Sequence, residues 1–175
     1  LKNIDIDRFS LKALSIILGG GMSSRLFQEI REKKGLCYSI FSFTQMQKTS
    51  GVFGFYAGTS PNDVDHLLEA SLLEWKKITK YISSEELDRA KAQMKSGFIM
   101  GQESNSSRSE YFAKNMISFG KLIETKEVIS SIEKISINSI HYLCDKLLKS
   151  AKPVLSVIGP NAKSLEKFDI STMLN

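Results

Sequence analysis

The chain has 175 residues, an apolar content of 42% and a net charge of +5 at pH 7, which fit one globular domain with a substantial core. Its lysines and arginines are mixed with acidic residues along the whole chain, which favours a solvated surface over a nucleic-acid-binding or acidic-membrane-binding patch. Its two cysteines, Cys37 and Cys144, form no CxxC pattern, which argues against a disulfide framework and a zinc ribbon. The longest apolar runs are too short to span a bilayer.

The first forty residues predict two helices. Apolar residues recur at helical spacing over residues 5–18, and the glycines at 19–21 are expected to end this helix because glycine supplies a positive φ. One of the paired serines, Ser23 or Ser24, is expected to N-cap a second helix. That helix should end just before Gly35, its C′ residue.

The strands predict an α+β fold. Residues 36–43 and 51–59 are rich in aromatic and branched side chains and predict an antiparallel pair. The first of these strands should be central, because both of its faces are apolar. Residues 154–158 predict a short strand near the end of the chain. The expected architecture is a small antiparallel sheet covered on one face by several helices.

Two of the intervening helices have clear start signals. Ser60 is a candidate N-cap before Pro61, and Ser83 with Glu86 forms a candidate capping box. The helical patterns that lie between the strands cover residues 61–81, 84–98, 108–119, 126–134 and 139–150.

The sequence offers no metal-ligand set. The segment HLLEA, which begins at His66, starts like an HxxEH zinc helix, but the second histidine is replaced by Ala70. Catalytic zinc needs three protein ligands in fixed geometry, so this departure argues against a site. His141 and Cys144 have helical spacing that suits two ligands, but the sequence supplies no partner for them.

The sequence gives weak support to a cysteine nucleophile and to a phosphate-binding loop. Cys37 lies in a predicted strand with no histidine nearby in sequence, so a small core residue is favoured over a nucleophile. The glycines at 19–21 precede a helix start, as in a phosphate-binding nest, but lack the GK[ST] and GxGxxG patterns. Backbone geometry is therefore the favoured reason for these glycines.

Arg31 and Tyr38 lie on either side of the reversal expected at Gly35. The helix-turn-strand reversal can bring a guanidinium from the polar side of the helix next to a phenol on the strand. Such a donor pair suits a carbonyl oxygen or an oxyanion. The spacing alone favours the alternative of a surface arginine and a packed tyrosine.

The segment LGGGMSSRLFQEIREKKGLCYSI at residues 18–40 resembles the second-half domain of pitrilysin-type (inverzincin) zinc metallopeptidases. The likeness is greatest to the group that contains mitochondrial processing peptidase and its bacterial relatives. Further family landmarks follow in order: GTSP at 58–61, ELxxAK at 86–91, ESxxSR at 103–108 and VIGP at 157–160.

In that family, the first domain binds zinc through HxxEH, and the second holds an arginine and a tyrosine at the spacing of Arg31 and Tyr38. The resemblance implies that Arg31 and Tyr38 are this chain's catalytic site residues. They would orient the substrate peptide and donate hydrogen bonds to the oxyanion that develops on the scissile carbonyl.

HxxEH is absent from this chain, so the resemblance implies a zinc cofactor held by an upstream homologous domain and no metal in residues 1–175. The family's opening strand is also missing or truncated, which implies a single C-terminal substrate-binding domain of a longer zinc metalloendopeptidase, inactive alone. The implied partners are the upstream zinc domain, an extended peptide bound at a sheet edge, and further subunits of a homo- or hetero-oligomer. Nucleic acid and a membrane span are not expected.

The alternative from another class is a non-catalytic scaffold or interaction domain of the same fold. The presence of HxxEH upstream would discriminate between the two, and retention of both Arg31 and Tyr38 favours the enzyme. A cytoplasmic location is favoured, with the periplasm and the mitochondrial matrix left open.

Overall fold

The computed structural model describes residues 7–47, 50–150 and 153–160, together with residues 162 and 170. Its elements are α1 (Arg8–Gly19), a π-helix (Phe27–Lys33), β1 (Ser39–Met46), β2 (Gly51–Gly58), α2 (Val64–Lys80), α3 (Ser84–Gly101), α4 (Asn105–Phe119), α5 (Thr125–Glu133) and α6 (Ile137–Ser150). The predicted α+β class is confirmed. Among the helices of these described ranges, none is long and apolar enough to cross a bilayer.

The sheet is an antiparallel pair of strands with helices on one face. Ser39 lies opposite Gly58, and the register continues to the far end of both strands. On the covered face Ile40 is buried, and the Phe53 ring centroid lies 5.5 Å from that of Trp75 in α2. The opposite face leaves large apolar side chains exposed: Phe41, Phe43, Val52 and Tyr56. The prediction of helices on one face of the sheet is therefore confirmed.

Helix α1 is the centre of the core and packs against β1, α3 and α6. It ends at Gly19, as predicted. A glycine is needed at this position because of close packing, not because of a positive φ. A Cβ atom at Gly19 would lie only 2.5 Å from the backbone nitrogen of Ser42. The hydroxyls of Ser15 and Ser42 are 2.9 Å apart and also join α1 to β1. Small residues therefore allow the helix to approach the strand closely.

The start signals of the later helices are confirmed in part. Ser83 and Glu86 form the predicted capping box, in which Ser83 N–H donates to Glu86 Oε2 at 2.9 Å. Helix α2 begins at Val64 rather than at Pro61. The N-cap residue of α2 is Asp63 rather than Ser60, and it makes no side-chain cap hydrogen bond. The hydroxyl of Ser60 donates to Asp63 Oδ2 at 2.6 Å.

Two predictions about strands are wrong. Residues 153–158 form no strand, because no neighbouring strand in the described part of the chain pairs with them. Val157 packs instead against Leu68 and Leu72 of α2, and Ile158 is 99% exposed. The strand predicted at 36–43 begins at Ser39 and is not central, since β1 pairs only with β2 in the described residues.

Candidate functional site

A π-helix stands where the sequence predicts an α-helix before Gly35. It spans seven residues, Phe27–Lys33, and its inner face is anchored by Ile30 and by the preceding Leu26, both fully buried. π-Helical segments are rare and frequently mark functional sites, because the wider turn displaces side chains from their α-helical directions. This segment is therefore a candidate functional element.

The predicted serine N-cap of this helix is wrong in its side-chain chemistry. The Ser24 hydroxyl donates to the Gly21 carbonyl at 2.6 Å, and the π-helix has no side-chain cap hydrogen bond at its start. The Ser24 carbonyl does accept the first helical hydrogen bond, from Gln28 N–H at 3.0 Å. Ser24 thus ties the helix to the glycine loop before it.

The exit from the π-helix depends on Gly35, as predicted. Gly35 has φ +64°, a left-handed conformation that glycine adopts without steric cost. Its N–H donates to the Arg31 carbonyl at 3.2 Å, and Leu36 N–H donates to the Ile30 carbonyl at 3.0 Å. This pair of bonds closes the helix and reverses the chain towards β1.

Arg31 projects from the π-helix with its donors available. Its guanidinium carbon lies 4.6 Å from the Phe27 ring centroid, and its Nε is 4.0 Å from a Glu32 carboxylate oxygen. The side chain is 42% exposed and donates no hydrogen bond within the described residues. The aromatic ring orients the guanidinium by a cation–π contact, and apart from the ion pair with Glu32 its N–H groups remain available to another acceptor.

Tyr38 lies at the end of the same connection, one residue before β1. Its backbone N–H donates to the Gly58 carbonyl at 3.0 Å, while its side chain is 88% exposed. No hydrogen bond joins Tyr38 to Arg31 in the described residues. The structure therefore brings both donors to one exposed connection without direct contact between them.

The alternative nucleophile in this connection, Cys37, is poorly suited to that role. Burial raises the pKa of its thiol, and the nearby charge of Arg31 only partly opposes this. The side chain is half-buried and packs against the main core. The other cysteine, Cys144, is fully buried, and burial raises its pKa to about 12. Both thiols are therefore expected to stay protonated near neutral pH.

The candidate metal ligands His66, His141 and Cys144 form no cluster in the described ranges. No group of three or more His, Cys, Asp or Glu side chains that could hold a metal ion occurs in the described ranges. His66 is exposed on α2. Buried His141 Nε2 has no hydrogen-bond partner, but the thiol of its helical neighbour Cys144 is held protonated by burial.

The glycine loop does not form a phosphate nest. The Gly20 N–H donates to the Ile16 carbonyl, and the Ser24 N–H donates to the Gly21 carbonyl, both at 3.0 Å. Gln93 of α3 donates from Nε2 to the Gly20 carbonyl at 2.9 Å. The first two bonds occupy backbone N–H groups that an anion would need. The bond from Gln93 fixes the loop against α3.

Arg25 is the functional candidate that the sequence reasoning missed. Its Nε and Nη2 donate to the two carboxylate oxygens of Glu86 at 2.6 and 2.7 Å. Nη2 also donates to the Tyr81 carbonyl at 2.8 Å. Burial raises the pKa of Glu86, but hydrogen bonds from Arg25 and from Ser83 N–H lower it more, so it lies below its usual value.

A groove of about 840 Å³ opens between α1, β1 and α3. Ile40, Phe41 and Ser42 of β1 line it in succession, and so does Phe27, whose ring lies under Arg31. Since consecutive strand residues point to opposite faces, a groove lined by three of them follows the outer edge of the strand. The edge of β1 that has no partner strand among the described residues is thus accessible beside the π-helix.

Comparisons with known proteins agree with the resemblance seen in the sequence. A family model described as "Peptidase M16 inactive domain" matches residues 3–94. The chain is 39% identical over 159 residues to an uncharacterized zinc protease of Rickettsia felis and 34% identical over 155 residues to one of Bacillus subtilis. The alignment with the Rickettsia felis protein covers 90% of this chain and 38% of that relative. The alignment with the Bacillus subtilis protein covers 87% of this chain and 37% of that relative.

Solved structures share the fold. A protease from Helicobacter pylori superposes with a TM-score of 0.74 at 28% identity, over 83% of this chain and 35% of that one. A peptidase M16 inactive domain from Pseudomonas fluorescens superposes with a TM-score of 0.69 at 21% identity, over 83% and 35% of the two chains. The predicted resemblance to the second-half domain of such metallopeptidases is confirmed.

Proposed function

The chain belongs to the peptidase M16 family as an inactive domain, and from this premise we propose that it positions the peptide substrate of a zinc metalloendopeptidase. Relatives at 39% and 34% identity are named zinc proteases, which supports a protease as the parent. The chain spans less than two fifths of those relatives. An upstream homologous domain would therefore hold the zinc.

The observation that carries this proposal is the pair of free donors at one connection. Arg31 and Tyr38 flank the turn at Gly35, both are exposed, and neither spends its side-chain donors on a hydrogen bond within the described residues. Preorganised donors of this kind stabilise negative charge as it develops in a transition state. Arg31 and Tyr38 would orient the scissile carbonyl and donate to its oxygen.

Zinc, when bound in the parent enzyme, would supply an activated water for attack on the peptide carbonyl. The residues of this chain offer no ligand cluster of their own in the described ranges. Their part is to bind and orient the peptide. Loss of one oxyanion donor typically costs about 3 kcal/mol, or about 10²–10³ in rate.

The sheet edge provides a second element of the proposal. An extended peptide can pair with an unpaired strand edge through main-chain hydrogen bonds. The outer edge of β1 has no partner strand in the described residues and borders the groove that Phe27 also lines. A peptide at this edge would lie close to the connection that carries Arg31 and Tyr38.

The test is cleavage of a quenched basic peptide by the full-length parent with zinc. Arg31→Ala and Tyr38→Phe are compared with wild type at matched zinc content and folding. Arg31→Ala should lower kcat by about a hundredfold or more. Lys126→Ala removes an exposed cation near the start of α5 and should leave the rate unchanged. Full activity of an active parent after Arg31→Ala would show that the site is wrongly assigned.

A second candidate function is a non-catalytic scaffold of the same fold. The uncovered face of the sheet favours it, because Phe41 and Tyr56 are 48% and 53% exposed there and their ring centroids lie 5.2 Å apart. Contiguous apolar patches of this kind often mark protein interfaces. A parent that binds no zinc and cleaves no peptide would make the scaffold the better assignment.

A further inference from the structure

We propose that Arg25, through Glu86, is a positioning residue that fixes the π-helix and thereby aims Arg31. This inference rests on the proposed function, because it assigns the arginine that holds the proposed oxyanion donor in place. Arg25 lies six residues before Arg31 at the start of the same helical segment.

The contact is a directional fork between two parts of the fold that are distant in sequence. Arg25 donates twice to Glu86, 61 residues further along the chain, at 2.6 and 2.7 Å. The third bond, to the Tyr81 carbonyl at 2.8 Å, fixes the guanidinium plane. A bidentate arginine–carboxylate pair constrains orientation more strongly than a single ion pair does.

The acceptor is itself held rigidly. Glu86 accepts the Ser83 N–H at 2.9 Å as part of the capping box at the start of α3. The side chains of Arg25 and Glu86 are only 14% and 17% exposed, so solvent competes little for the fork. The start of the π-helical segment is therefore tied to the first turn of a long helix.

The fork adds a constraint that the apolar packing of the π-helix does not provide. The fully buried side chains of the segment, Leu26 and Ile30, are aliphatic, and their packing holds it against the core without hydrogen bonds of its own. The two bonds from Arg25 add a fixed angle between the start of the segment and α3. This matters because a misplacement of about 1 Å can cost about a hundredfold in rate.

The experiment measures kcat and KM of the full-length parent for Arg25→Ala, Arg25→Lys and Glu86→Gln, each with Arg31 intact and with Arg31→Ala. With Arg31 intact, Arg25→Ala should lower kcat about tenfold or more and leave KM within about twofold. With Arg31→Ala already present, Arg25→Ala should cost little further. Arg25→Lys and Glu86→Gln retain more of the contact and provide the same comparison if Arg25→Ala does not fold.

The control is Lys95→Ala. Lys95 of α3 pairs with Glu133 of α5 and makes no contact with the π-helix in the described residues, so its removal should leave kcat unchanged. Equal losses from Arg25→Ala in both backgrounds, or no loss with Arg31 intact, would overturn the positioning role alone. No loss from Arg31→Ala itself would instead overturn the proposed function.

Discussion

The guanidinium of Arg31 lies over the ring of Phe27, with 4.6 Å between the guanidinium carbon and the ring centroid. The two residues are four apart in a π-helix, and the Phe27 ring also lines the groove beside β1. The stacking leaves the edge of the guanidinium, where its N–H groups lie, free to donate. Phe27 thus connects the orientation of the proposed donor to the surface beside it.

Replacement of this ring should reduce activity without removing the donor. Phe27→Leu abolishes the cation–π contact, which at exposed sites is worth about 0.5–1 kcal/mol. We expect kcat of the parent to fall about two- to fivefold. Phe27→Tyr keeps an aromatic face and should retain most of the rate. Equal kcat values for the leucine and tyrosine variants would show that the ring does not orient Arg31.

The left-handed conformation of Gly35 should make Gly35→Ala destabilising. A Cβ atom there would meet nothing within 4 Å, so the cost is conformational, about 1–2 kcal/mol in the free energy of unfolding. Gly97→Ala in α3 is the matched control, because its Cβ would also meet nothing within 4 Å. It should stabilise the helix by about 0.5–1 kcal/mol. Denaturant unfolding measures both, and the same sign for the two would contradict this account.

The Arg25–Glu86 pair should make stability depend on pH on the acid side. The pKa of Glu86 in the folded protein is below its ordinary value, so its contribution is complete above the unfolded pKa of about 4.3. That contribution is lost as the pH falls through the folded pKa. The difference in unfolding free energy between wild type and Glu86→Gln should therefore shrink from about pH 6 to about pH 3.

Glu110→Gln is the control for this pH dependence. Glu110 also has a lowered pKa, caused by its hydrogen bond with Lys114, but both side chains of that pair are more than 60% exposed. Exposed pairs contribute little to stability, so this variant should show a much smaller change with pH. If the difference in unfolding free energy between wild type and Glu86→Gln stays constant from about pH 6 to about pH 3, the charge of Glu86 is not the cause of that difference.

Peptide addition to the sheet should protect backbone amides along β1. Hydrogen exchange of the parent is compared with and without a non-cleavable peptide analogue. The outward-facing amides of β1 should exchange more slowly when the peptide is bound. The strand that the family resemblance places before α1 is a competing occupant of this edge. The contrary outcome is that the amides of β1 exchange slowly without peptide, at a rate that peptide does not change. That result would show that the preceding strand occupies this edge and that the peptide does not pair with β1.

Local patterns predicted most of the elements. Helical spacing located α1 and the five helices after β2, and the Ser83–Glu86 capping box and the turn at Gly35 were both recognisable from residue type. These features depend on neighbours within a few residues, which a sequence displays directly. The positions of Arg31 and Tyr38 on one exposed connection follow from the same local signals.

The remaining features depend on contacts that the sequence does not display. The π-helix differs from an α-helix in its hydrogen-bond spacing, while Leu26 and Ile30 fit the apolar stripe of either. The fork of Arg25 joins residues 61 positions apart. The expected strand at 154–158 failed because a strand exists only with a neighbour, and no pattern within those residues identifies one.

The uncovered face of the sheet affects how the domain should be handled in the laboratory. A two-stranded ribbon in the part of the chain that the structure describes, with Phe41, Phe43, Val52 and Tyr56 exposed, has the features that lead sheets to aggregate. Expressed alone, the domain is expected to self-associate as its concentration rises. Stability and exchange measurements on it should therefore be repeated at several protein concentrations.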